Sequence, residues 1–164
     1  IQPPRIAAAC CLELARAAGP SGMVGGQVDD LQADRAGGDL AQLERIHCRK
    51  TGAMFRTSLR VGAMIADADP GELAAVDDFG QKLGLAFQII DDLLDIKGNI
   101  QSLGKSAGKD ARQSKLTFPA MLGVEPSRRR AEELIREAQT ALRPLDEGSR
   151  CLESLACYVL ERSR

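Results

Sequence analysis

The residues with the strongest chemical potential crowd into FQIIDDLLDI, residues 87 to 96. There Asp91, Asp92 and Asp95 interrupt a segment that is otherwise apolar from about Leu83 to Ile96. On a helix Asp91 and Asp95 lie one turn apart on one face, with Asp92 about 100° around. Like charges at that spacing repel, weakly in water and strongly when desolvated, so the cluster demands a compensating cation. A solvated helix end would meet the demand, and so would salt bridges to the next segment. From Lys97 to Lys115 that segment carries Lys97, Lys105, Lys109, Arg112 and Lys115 against Asp110 alone. A third answer has both signs facing one ligand. Carboxylates hold Mg²⁺ through one or two side chains while phosphate oxygens complete its shell, and lysines grip the same phosphates from the other side. A diphosphate suits that pattern, and Gly98, Gly104 and Gly108 would let the backbone approach it.

Two further stretches bear on the same chemistry. In HCRKTGAMFR, residues 47 to 56, Lys50 and Thr51 mark the point where an amphipathic half-helix becomes mostly apolar, which sets Lys50 near the core. His47 reads as an ordinary side chain rather than a ligand or base. In GMVGGQVDDLQAD, residues 22 to 34, glycines crowd a helical pattern, as they do where another backbone or a ligand comes close. Asp30 and Asp34 share a face and imitate a second metal cluster; Gln27 and Asp30 read better as residues that support the site from behind.

These stretches need helices to position them. Aromatic residues make up 3% of the chain, tryptophan is absent and no alternating β-branched run is long enough for a strand, so the fold class is all-α. Glycines and prolines place helices over 4–18, ended by Gly19-Pro20, and over 22–34, ended by the turn at Ala36-Gly37-Gly38. Asp39 with Gln42 starts a long helix over about 40–66, on the order of 40 Å. Asp69-Pro70-Gly71-Glu72 caps another that runs to about Lys97. Residues 98–115 read as a loop. A short helix at 116–123 precedes two amphipathic ones, one with Ala131, Leu134, Ile135, Ala138, Ala141 and Leu142 on a stripe, the other with Leu152, Leu155, Ala156, Val159 and Leu160.

The chain of 164 residues fits one domain, and its 22 basic against 23 acidic residues give no general attraction to nucleic acid. No apolar run reaches the roughly 20 residues that span a bilayer. Five cysteines without zinc-site spacing fit a reducing, cytoplasmic setting. The opening Ile-Gln-Pro-Pro, already near a helix, suggests a fragment.

GMVGGQ at 22–27, HCRKTG at 47–52, GLAFQIIDDLLD at 84–95, LGKSAGKDARQSKLTFP at 103–119 and LGVE at 122–125, in that order and spacing, resemble the trans-prenyl diphosphate synthases of the polyprenyl synthetase group, in particular the bacterial farnesyl diphosphate synthase-like members. The resemblance implies a bundle of long helices around a central cavity, usually a homodimer. It implies that Asp91, Asp92 and Asp95 are the second aspartate-rich motif that anchors Mg²⁺ and that Lys50, Lys105 and Lys115 contact the allylic diphosphate. Thr51 and Gln88 would then lie by the carbocation, with Gln27 and Asp30 supporting. The implied reaction is ionisation of an allylic diphosphate, attack by the double bond of isopentenyl diphosphate, and proton loss to the departing diphosphate.

Asn99 stands where the family often has an acid. The first aspartate-rich motif belongs to a half of the family pattern with no counterpart here, so residues 1–164 are expected to form the C-terminal half of the fold, a partial bundle inactive alone and prone to aggregate or to depend on a dimer. The alternatives are a non-catalytic helical subunit of a synthase, and a terpene cyclase, which shares the aspartate cluster and the ionisation step.

Overall fold

The computed structural model describes residues 3–103 and 116–162, with backbone alone over 97–103. Among the described residues every regular element is helical, and no helix is long and apolar enough to cross a membrane. Helix α1 (Pro4–Ala18) begins on a proline, whose missing N–H costs nothing in a first turn. Helix α2 (Met23–Ala36) ends at Gly37, whose φ of 74° favours glycine, and the Gly37 N–H donates to the Ala33 carbonyl at 2.8 Å.

Helix α3 (Leu40–His47) starts as the sequence predicts, with the Asp39 carboxylate accepting from the Gln42 backbone N–H at 2.7 Å. The expected unbroken helix over 40–66 is instead interrupted by a π-helical turn, Cys48–Gly52, before α4 (Ala53–Ile65). A π turn takes up one extra residue and rotates the face of all that follows. It coincides with the closest approach of α2: a Cβ placed on Gly26 would lie 2.7 Å from the Cα of Lys50. The crowded glycines of α2 are therefore spent on a neighbouring backbone.

Helix α5 (Pro70–Leu103) opens on a reciprocal box, in which the Glu72 N–H donates to Asp69 Oδ1 at 2.9 Å and the Asp69 N–H to Glu72 Oε2 at 2.8 Å. It runs to Leu103, six residues past its expected end at Lys97. Gly98 weakens a helix by about 1 kcal/mol without forbidding it, and no proline follows before Pro119. Residues 104–115, the rest of the expected loop, lie outside the described residues, and with them Lys105 and Lys115.

Helix α5 is the centre of the molecule. Phe79, Leu83, Ala86, Ile89 and Ile90 are buried along one broad face, each large one contributing roughly 1.5–3 kcal/mol by leaving water. On one side α4 crosses at Gly80 and Gly84, where an added Cβ would come within 3.0 Å of the Cα atoms of Arg56 and Gly52 respectively. On the other lies α7 (Val124–Ala141), which buries Ala131, Leu134, Ile135 and Ala138 as its stripe predicts. Helix α6 (Phe118–Leu122) leads into α7, and a 3-10 turn (Arg143–Ser149) leads into α8 (Arg150–Glu161). Within α8, Ala156 and Val159 are buried but Leu155, expected on the same stripe, is 42% exposed. Large apolar residues also face outward from α1 and α2, among them Leu12, Leu14, Val24, Val28 and Leu31.

Candidate functional site

The π turn presents Arg49, Lys50 and Thr51, and it is held on two sides by glycine contacts, to Gly26 of α2 and to Gly84 of α5. Lys50 Nζ donates to Asp30 Oδ2 at 2.6 Å, and Arg49 pairs with Asp29. The two adjacent acids of α2 are thus matched with two adjacent bases, and Asp34 is exposed. Lys50 and Thr51 line a cleft of about 520 Å³ together with Gln27, Met23, Val28, Met54 and Phe55. Three sequence-predicted residues, Gln27, Lys50 and Thr51, meet there on an otherwise apolar wall.

Phe55 continues the wall to α5. Its ring packs on Phe87 with centroids 5.3 Å apart, and Phe87 precedes the half-buried Gln88. Gln88, Asp91 and Asp95 follow one another at three- and four-residue steps, so they form one stripe. Gly84, which touches the π turn, is seven residues before Asp91, about 10 Å along the axis.

The acids of the motif have different neighbours. Asp92 is buried, and its Oδ2 accepts from the Phe118 backbone N–H at 3.0 Å, tying α5 to the start of α6. His47 stands beside it, with Nε2 at 3.8 Å from that oxygen and its ring stacked on Phe118 at 5.7 Å. Neither ring nitrogen of His47 has a hydrogen-bond partner among the described residues. Asp91 is half-buried and Asp95 exposed. Burial pushes the Asp91 carboxyl above the usual carboxylate range. The Arg162 guanidinium, 3.3 Å away, pulls it back, and Asp95 and Asp92 push it up again.

Among the described residues no three carboxylate, imidazole or thiol groups converge as a metal cage would require. The donor set still fits magnesium of the kind shared with a phosphate, which takes one or two carboxylates and leaves its other positions to water and phosphate oxygens. Asp91, half-buried, and Asp95, exposed, lie one helical turn apart and are the two carboxylates whose spacing allows this. Asp92 already accepts from the Phe118 N–H through Oδ2, which leaves Oδ1 as its oxygen without that bond. Arg162 and Phe87 were not singled out by the sequence. Arg162 lies 71 positions from Asp91, and no local pattern links the two.

A family model described as Polyprenyl synthetase matches residues 11–148. The farnesyl diphosphate synthase of Escherichia coli (strain K12) is 44% identical over 156 residues, which cover 93% of this chain and 52% of that protein. Among solved structures, the FPP/GFPP synthase from Zymomonas mobilis superposes with a TM-score of 0.83 at 32% identity, covering 97% of this chain and 52% of that one. The Helicobacter pylori geranyltransferase complexed with magnesium and isoprenyl diphosphate superposes at 0.78 and 26% identity, with 98% and 53% covered. The chain spans about half the length of the relatives it matches.

Proposed function

The chain belongs to the polyprenyl synthetase family, and from that premise we propose that the whole protein is a short-chain prenyltransferase, condensing isopentenyl diphosphate with an allylic diphosphate in a magnesium-dependent reaction. One observation carries this reading: Lys50 stands at an apolar cleft beside Thr51 and Gln27, a cation at one end and hydrocarbon-compatible walls along the rest. Such a cleft suits a substrate with a diphosphate head and an isoprenoid tail. The magnesium and isoprenyl diphosphate named for the Helicobacter pylori structure support the same substrate class and metal.

In this reading Asp91 and Asp95 hold Mg²⁺, which when bound neutralises charge on the allylic diphosphate and so makes it a better leaving group. Lys50 grips the diphosphate from the π turn, and Asp30, 2.6 Å from its Nζ, keeps the ammonium aimed. Lys105 and Lys115 grip it too. Asp92 keeps α5 and α6 together behind the metal-facing stripe. Gln88 and Thr51 offer neutral oxygen dipoles to the developing carbocation, which stabilise it without attacking it. Met23, Val28, Met54 and Phe55 enclose the hydrocarbon and exclude water. The proton lost after carbon–carbon bond formation goes to the departing diphosphate, so no nucleophilic side chain is needed.

The protein is then one that works as a homodimer in the cytoplasm. The outward Leu12 and Leu14 of α1 and Leu31 of α2, which lie outside the cleft lining, call for cover, and five free thiols suit a reducing compartment. The chain by itself supplies one wall of the cavity and is expected to bind magnesium with diphosphate without turning substrate over.

The test is to incubate the whole protein with isopentenyl and dimethylallyl diphosphates and Mg²⁺ and to analyse the products. Elongated allylic diphosphates are expected, with turnover lowered about 10²-fold or more by Asp91→Ala and by Lys50→Ala. Cyclised hydrocarbons, or near-normal activity in both variants, would remove the assignment.

A further inference from the structure

The tip of α8 reaches the metal-facing stripe of α5. Arg162 lays its guanidinium over the Phe87 ring, 5.0 Å from the centroid, and sets Nη2 3.3 Å from Asp91 Oδ1. We propose that Arg162 is a placeholder cation: it occupies the Asp91 carboxylate when no metal is bound and is displaced when the divalent ion arrives. This inference rests on the reading of Asp91 as a metal-holding residue.

The geometry suits a cation that holds on and can also let go. A guanidinium cannot shed its proton, so it leaves Asp91 only by moving. The contact is made through one nitrogen rather than the bidentate fork that arginine forms in its strongest pairs. Both side chains stay about a third exposed, where ion pairs are weak. The aromatic face supplies the rest of the attraction. Upstream on α8, Ala156 and Val159 are buried, so the helix stays docked when its tip swings away. Asp91 shares its stretch of helix with Asp92 and Asp95, and the arginine brings it a single positive charge. A divalent ion brings twice the charge to the same oxygen.

The consequence is that metal affinity is set by a competition within the chain, and that filling the metal site releases the tip of α8. In the whole protein, binding of Mn²⁺ in the presence of inorganic diphosphate is followed by electron paramagnetic resonance. Arg162→Ala and Arg162→Gln should both tighten Mn²⁺ binding about tenfold, and Arg162→Lys, which keeps the charge but loses the planar stack, by less. Thermal unfolding of each variant checks that the fold is kept. Unchanged or weaker binding in the Ala and Gln variants overturns the proposal. So does an effect of Ala alone, which would mean that packing rather than charge is involved. Asp91→Asn separates this inference from its premise: Mn²⁺ affinity should fall. If it falls while the Arg162 variants are neutral, the placeholder fails alone; if it does not fall, both readings fail.

Discussion

Two runs in this chain read almost alike, DDLQAD at 29–34 on α2 and DDLLD at 91–95 on α5, and folding treats them oppositely. On α2 the paired acids are answered one for one, Asp29 by Arg49 and Asp30 by Lys50, both delivered by the same π turn. On α5 the inner acid is consumed by a backbone N–H of α6, and Asp91 shares a single-point guanidinium. The first arrangement positions a base, and the second leaves a carboxylate in want of charge. An acidic motif is therefore defined less by its own residues than by the cations the fold brings to it.

The largest test of that comparison is structural. The pairing on α2 depends on Gly26 lying against the backbone of Lys50, where a methyl group would be 2.7 Å from a Cα that cannot move independently of its helix. Gly26→Ala is expected to destabilise the fold by about 2–3 kcal/mol in urea unfolding, as overpacking against backbone does. Gly62, also inside a helix but with nothing within 4 Å of an added Cβ, is the control. Gly62→Ala should be stabilising, by up to about 1 kcal/mol. Equal effects of the two would mean that the α2 contact does not set the π turn.

A smaller effect tests the division within DDLLD. Asp92→Ala leaves the buried Phe118 N–H without its acceptor, a loss of about 1–3 kcal/mol. Asp95→Ala, on the exposed side, should fall within about 0.5 kcal/mol of the parent. If urea midpoints for the two variants coincide, the inward and outward roles are not distinct.

That division also shows where the sequence stops being informative. Helix ends governed by local chemistry are legible: α1 over 4–18, the Asp69–Glu72 box, the stripe of α7. So is a candidate for a chemical site, because three acids in an apolar helix and a lysine at a change of amphipathicity both violate local rules. What local rules cannot supply is direction and partnership. A helix of period 3.6 places Asp92 about 100° from Asp91, but only the docking of α6 makes that the inward side. The π turn leaves only a faint trace at Lys50, because its cause is a glycine on another helix. Arg162 and Asp91 meet through tertiary packing alone, and the helix past Gly98 continues because a single glycine weakens a helix without stopping it.

The smallest expected effect is the most telling, because its sign separates the two acidic runs. Burial raises the folded-state pKa of Asp91, so this residue's contribution to stability is full below its unfolded value, near 3.9, and is lost as pH rises through the higher folded value. Above that range the ionised group disfavours the fold. Asp91→Asn removes the burden together with the weaker attraction of Arg162, so its melting temperature should lie slightly above that of the parent at pH 7 and merge with it near pH 3. Asp29→Asn should go the other way at pH 7, losing an exposed ion pair that contributes at most about 1 kcal/mol. Magnesium with inorganic diphosphate should then reverse the first order: the parent gains stability from a ligand that binds only the folded state, Asp91→Asn does not, and Asp29→Asn gains as the parent does. A parent that melts no higher with magnesium and diphosphate than without them would leave α5 with no more claim to a ligand than α2.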